Sequence, residues 1–379
     1  MKNHYFIVLI PVVILNHKIM YKSIKKQQAM KTILILSITL IVITALFSSC
    51  SMVRLAGSNT PEIKGKNSIA SIEKVILQRK EQSITIRTSD TANPVLLFLH
   101  GGPGSPLMPY AHVADRKLEE HFTVVHWDQY GAGKSYDKKL NPEEISIDFY
   151  LYCTIELIEY LRKRFKQDKI FLLGHSWGSY LGIVTAYNHP ELLHAYIGMG
   201  QVINMPEAEK ISYNFTLGKA REAGKKKAIK DLKCIGLPPY QNHKELLTER
   251  KWLSIYKGMI HNCSLIRTVG YSLKSPEYSF RDHMNEIKGR DLLLSILWPD
   301  FQTKTVDDKI RSFEVPVYFL EGRHDYCVPS VLVEKFVQKV KAPHKEIIWF
   351  EHSAHMMNIE EREKYVDVLT GKILEMANI

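Results

Sequence analysis

The stretch FLLGHSWGSYLG (Phe171–Gly182) allows few backbone geometries. A run rich in β-formers ends at a serine with glycines two positions to either side, and a helix-compatible run follows. A tight strand-to-helix turn forces its central residue into an unfavourable conformation costing on the order of 1–3 kcal/mol. Side chains at the positions two before and two after would collide in such a turn, so Gly174 and Gly178 mark it with Ser176 at its apex.

The surrounding pattern places that turn in a parallel sheet. Ser71–Gln78 and Gln82–Thr88 read as a hairpin. Buried-type runs at 94–100, 121–128, 169–175 and 191–200 read as strands, with an amphipathic helix over 146–165. Alternation resumes with a strand at 315–322, a helix from Ser330, a strand at 345–351 and a last helix from about Asn358. Strands interleaved with helices give a mostly parallel sheet covered on both faces, an α/β architecture. Residues 201–310 break the rhythm, being lysine-rich and helical in pattern, and read as a cap inserted between two parts of one core, 71–200 and 311–379.

Charge excludes one class of function. The net +11 is concentrated in residues 1–70, with 9 Lys/Arg against 1 acid, and in 201–310, with 19 against 13; the rest carries 23 against 26. That is no contiguous basic groove, and no nucleic-acid-reading motif accompanies it. GAGKS (131–135) resembles the end of a phosphate loop, but the glycine such a loop needs five residues before Gly133 is Asp128.

Residues 1–55 read as a leader and 56–70 as a linker. Ile33–Phe47 is uncharged, follows Met30-Lys31 and precedes Ser-Ser-Cys, the layout of a secretory signal. Cleavage before Cys50 would expose a thiol for lipidation, as in bacterial lipoproteins; the alternative is an uncleaved anchor over Thr32–Val53, long enough to span a bilayer. Both place the domain outside the cytoplasm, attached to a membrane. The upstream run Tyr5–Leu15 holds Pro11 and spans poorly, so translation from Met30 gives a more regular leader. Cys153, Cys234, Cys263 and Cys327 fit no zinc spacing; Cys234 and Cys263 are the pair that an oxidising compartment could join.

A serine at the exposed end of a buried strand suits nucleophilic catalysis, provided a base and an acid follow in the order Ser, Asp/Glu, His. Asp325 follows the strand in VYFLEGRHDYCVP, and His355 follows the last strand in IIWFEHSAHMMNIE. Glu321, His324 and His352 are rivals, set aside because Asp325 and His355 lie in loops that can reach over the turn. His352 and His355 lack a third ligand for a metal pair. The backbone N–H of Trp177 supplies one oxyanion donor, and Gly102 in HGGPGSP (100–106) is the choice for the second.

Together HGGPG, DQYGAGKS, GHSWGS, GRHDYCVP and HSAHMMNIE resemble α/β-hydrolases of the proline iminopeptidase group over about residues 70–379. The resemblance implies an eight-stranded, mostly parallel sheet with a helical cap and neither cofactor nor metal. It also implies Ser176 as nucleophile, Asp325 as acid, His355 as base, and Gly102 with Trp177 as oxyanion hole. Two departures stand out: Tyr130 occupies a position where Arg is usual, and the cap lacks the Trp-x-x-Trp-Glu segment whose glutamate helps hold a substrate amine. The expected activity is therefore a serine hydrolase, first an aminopeptidase releasing N-terminal residues from peptides. The alternatives are a carboxylesterase on small or lipid-derived esters and a surface-tethered binding protein without turnover. An acid in the cap facing Ser176 favours the peptidase, an apolar tunnel the esterase.

Overall fold

The computed structural model describes residues 59–376. Eight strands form one sheet in the order β1-β2-β4-β3-β5-β6-β7-β8. They are β1 (Ile69–Leu77), β2 (Lys80–Thr88), β3 (Val95–Leu99), β4 (Thr123–Asp128), β5 (Ile170–His175), β6 (Leu193–Met199), β7 (Val317–Gly322) and β8 (Lys345–Phe350). Gln78 and Arg79 both take positive φ in the two-residue connection between β1 and β2, the backbone that matches a hairpin's right-handed twist. β2 pairs antiparallel with both β1 and β4, and every pairing beyond β4 is parallel. The expected eight-stranded, mostly parallel sheet is thus the architecture observed.

β3 and β5 are buried along their whole length, because apolar clusters cover both faces of the sheet. Numbering helices of two turns or more, α1 (Ile147–Phe165) is capped by the Ser146 hydroxyl, which accepts from the N–H of Phe149, and carries Arg162, Lys163 and Arg164 in its last turn, where the helix dipole favours cations. α2 (Trp177–Asn188) follows β5 directly.

Between β6 and β7 lie α3 (Met205–Glu222), α4 (Lys226–Ile235), α5 (His243–Ile255), α6 (Leu265–Leu273) and α7 (Phe280–Phe301). The chain leaves and rejoins the core at one place: Met205 donates to Lys304 and Val306 to Ile203. α7 is the helix that binds this layer to the sheet. A Cβ on Gly289 would lie 2.0 Å from the Gly131 carbonyl oxygen, so the helix meets the GAGKS loop backbone to backbone. Lys134 Nζ donates to Asp282 Oδ2 at 2.8 Å, and the Tyr278 hydroxyl donates to Asp128. The lysine of the phosphate-loop lookalike is a cap anchor.

α8 (Val331–Lys339) precedes β8. The single last helix expected from Asn358 is instead broken: Met357–Glu360 and Arg362–Asp367 are separate, and the latter runs on as a π-helix, Val368–Ile373. At the break Glu361 (φ −126°, ψ 53°) turns its carboxylate to accept from His352 N–H and the Ser353 hydroxyl, so the preceding loop is held at the expense of helix continuity. Cys234 and Cys263 are separate thiols, as are Cys153 and Cys327. The leader, Cys50 and both apolar runs fall outside the described residues; among the described ones no helix is long and apolar enough to cross a membrane.

Burial raises the Asp128 carboxyl to about 7, against stabilisation of its anion by Tyr278 and the Lys134 N–H. A folded pKa above the unfolded value of about 3.9 gives stability that is complete below the latter and lost as pH rises through the former. Asp128→Asn should therefore flatten the fall in unfolding free energy between about pH 4 and 7, measured by urea titration; an unchanged slope would remove Asp128 as its source.

Candidate active site

β5 ends at His175, and Ser176 then stands at φ 54°, ψ −120° before α2 begins. The glycine requirement is visible on both sides. A Cβ on Gly174 would lie 2.4 Å from the Gly178 oxygen, and one on Gly178 would lie 2.1 Å from the Leu99 oxygen at the end of β3. The turn is held by the Ser176 N–H donating to Met199 at 3.0 Å, and by Ser179 Oγ donating to the Ser176 carbonyl at 2.5 Å. The loop after β3 closes on the serine: a Cβ on Gly101 would come within 3.1 Å of Ser176 Cβ.

Asp325 and His355, thirty residues apart, meet beside this turn. His355 Nδ1 donates to Asp325 Oδ2 at 2.7 Å. The other oxygen, Oδ1, accepts from the N–H groups of Cys327 (2.8 Å) and Val328 (2.9 Å). The carboxylate is thereby fixed in plane, and a neutral imidazole oriented this way keeps its Nε2 lone pair free. Gly200 leaves space for the pair, since a Cβ there would lie 2.8 Å from the His355 ring. His355 N–H also donates to the Met259 carbonyl of the cap at 3.1 Å. Ser176 and His355 line one cavity of about 390 Å³ together with Gly101 and Gly102.

The rivals are placed elsewhere. Glu321 is buried and accepts from Gln201 N–H at 3.0 Å, with burial raising its carboxyl well above the usual range. His324 stacks on His261 with ring centroids 3.5 Å apart. His352 is exposed and bound through its backbone N–H to Glu361.

Gly102 takes φ 114°, and neither its N–H nor that of Trp177 has an acceptor among the described residues. Gly102 lines the cavity, and Trp177 follows the cavity residue Ser176 directly in the chain.

Two neutral histidines frame the serine. Burial and the neighbouring His355 push His175 down to about 3. Its Nε2–H donates to the His355 carbonyl at 2.9 Å, while Nδ1 is buried without a partner. Burial likewise pushes His100 down to about 4. His100 Nδ1–H donates to the Gly101 carbonyl at 2.8 Å, and Nε2 accepts from the Gln129 N–H at 3.1 Å. The Gln129 side chain completes the link, accepting from Trp177 Nε1 at 2.9 Å and donating to the His100 carbonyl at 3.4 Å. DQ thus connects the glycine loop to the residue after the serine.

The cap's contribution was not foreseen by position. Glu286 lines the cavity along with Arg250, Lys251 and Arg290. Arg250 is held by Glu209 and Glu249, while Glu286 is the carboxylate facing the cavity, 3.6 Å from His283 Nδ1. Leu107, Met205, Leu246, Leu294 and Trp298 supply much of the remaining wall.

Gln129→Leu should lower kcat/KM roughly tenfold, about 1.4 kcal/mol, by freeing the loop on which the donors sit. Circular dichroism should show the fold retained, and full activity in the folded variant would mean that the bridge positions nothing.

Three comparisons bear on this geometry. A family model described as alpha/beta hydrolase fold matches residues 94–230. "Probable aminopeptidase YbaC" of Bacillus subtilis (strain 168) is 32% identical over 312 residues, covering 81% of this chain and 98% of that protein. "Proline iminopeptidase" of Saccharolobus solfataricus is 28% identical over 287 residues, 73% of this chain and 84% of that protein. A crystal structure of proline iminopeptidase from Mycobacterium smegmatis superposes with a TM-score of 0.58 at 18% identity, over 81% of this chain and 99% of that one.

Proposed function

Since the chain belongs to the alpha/beta hydrolase fold family, we propose that it is a serine aminopeptidase of the proline iminopeptidase type, releasing N-terminal residues from short peptides through an acyl-enzyme. The observation that carries this reading is the convergence of the strained Ser176 and the His355–Asp325 pair on one capped cavity. In this reading Ser176 Oγ attacks the scissile carbonyl while His355 Nε2 takes its proton and returns it to the leaving amine. Asp325 holds the imidazole in that tautomer and stabilises the imidazolium. The N–H groups of Gly102 and Trp177 bind the oxyanion, each worth about 10²–10³ in turnover. Water then repeats the attack on the acyl-enzyme. Glu286 stands in for the missing cap glutamate and receives the substrate amine.

A carboxylesterase is the second reading, favoured by the apolar wall and by three cationic side chains against one carboxylate in the cavity. Kinetics with prolyl, other aminoacyl and short-chain ester chromogenic substrates separate the two. Ser176→Ala should lose three or more orders of magnitude (about 10³) in kcat on whichever class is cleaved; near-wild-type turnover would mean the nucleophile is misassigned. Glu286→Gln should raise KM for aminoacyl substrates roughly tenfold and leave ester hydrolysis within about twofold. Equal losses on both classes would sink the amine assignment.

The reading includes an extracytoplasmic enzyme held at a membrane through lipidated Cys50 or an apolar span over 32–53, supported by sequence alone. Mass spectrometry of the mature protein should find either S-acylated Cys50 at the N-terminus or an intact span. A mature chain beginning beyond Val53 would exclude both.

A further inference from the structure

α6 is amphipathic in the reverse sense for a surface helix. Thr268 and Ser272 are buried, whereas Leu265, Ile266, Val269 and Leu273 are exposed, Ile266 by 86%. Ile266, Val269 and Leu273 are spaced i, i+3, i+7 and so share one face. α7 begins with a second such stripe, Phe280, Met284 and Ile287, at i, i+4, i+7 and likewise exposed, Ile287 by 52%. An apolar surface this extensive on two successive helices marks an interaction site rather than scattered surface residues.

Two further observations say what it meets. Within 265–288 the exposed charged residues are Arg267, Lys274, Arg281 and Lys288, all basic, while Glu277, Asp282 and Glu286 are buried or half-buried. Apolar stripes flanked by cations fit an anionic lipid surface. In addition, the described chain begins beside them. Asn59 N–H donates to the Pro276 carbonyl at 3.2 Å and Thr60 Oγ1 to Glu277 at 2.9 Å, both in the connection between α6 and α7. The uncharged stretch Thr32–Val53 ends only a few residues earlier in sequence.

We propose that the exposed apolar faces of α6 and α7 dock on an anionic lipid bilayer, so that the cap meets the membrane at the place where the chain leaves it. This goes beyond the catalytic reading and does not depend on which substrate is cleaved. Basic side chains would pair with lipid phosphates at the rim while Ile266, Val269 and Ile287 enter the acyl boundary.

The test uses the full chain in phosphatidylethanolamine–phosphatidylglycerol vesicles containing a phospholipid with a diazirine in its acyl chain. After irradiation, adducts are located by peptide mass spectrometry. They should fall on 265–273 and 280–288 and be missing from the segment around Ile76, which is 66% exposed on β1. Ile266→Glu combined with Ile287→Glu should reduce these adducts roughly tenfold, while hydrolysis of a soluble ester keeps its rate and shows the variant folded. Adducts confined to residues 1–58, as when the chain's own N-terminal segment or a second copy covers the stripes, would overturn the proposal. So would adducts spread equally over Ile76.

Discussion

The conformation of Ser176, φ 54° and ψ −120°, is one that an L-residue keeps only where its neighbours allow no other. β5 must end under full burial, α2 must start at once, and the end of β3 must lie against the first turn of that helix. These demands leave no volume for side chains at 174 and 178. They also explain why the glycine loop after β3, the DQ turn after β4 and the loops after β7 and β8 all gather here. Each is the carboxyl end of a parallel strand adjoining the same crevice. The strain is sustained by this packing and leaves the hydroxyl standing clear of the backbone that carries it.

Around that point the polar groups are arranged as a connected set. Gln129 ties the tryptophan ring of α2 to His100, and His100 ties the DQ turn to Gly101. His175 ties the end of β5 to the loop bearing His355. Because burial keeps both His100 and His175 neutral, they serve as directional hydrogen-bonding groups and bring no competing positive charge near the His355 imidazole, the proposed proton acceptor. Buried polar networks of this kind fix one geometry where an apolar filling would tolerate several.

What could be read beforehand followed from local rules. The buried strands showed as apolar runs, the turn showed as glycines at fixed offsets from a serine, and Asp325 and His355 showed because they follow strands. The remainder depends on tertiary placement. Glu286 sits mid-helix in α7 with no neighbouring motif, and only the packing of α7 on the core turns it towards the cavity. Helical periodicity finds an apolar face but does not say whether that face points inward, so the outward stripe on α6 was not legible in the sequence. Periodicity also ran through Glu361, where two side-chain hydrogen bonds to the preceding loop outweigh the continuation of the helix. The anchoring role of Lys134 was not legible locally, since its partner Asp282 lies far along the chain.

α7 belongs to two layers at once. Its first turn is bound to the GAGKS loop, its middle lies on glycine backbone, and Phe301 at its end packs edge-on against Trp177 at 4.9 Å. Such a helix works as a fixed rail, with α3 to α6 as the interchangeable part mounted on it. Evolution or a protein engineer could exchange the stretch from Met205 to Leu273 to admit a different molecule. The rail, and with it the setting of the Ser176 hydroxyl, would be inherited unchanged.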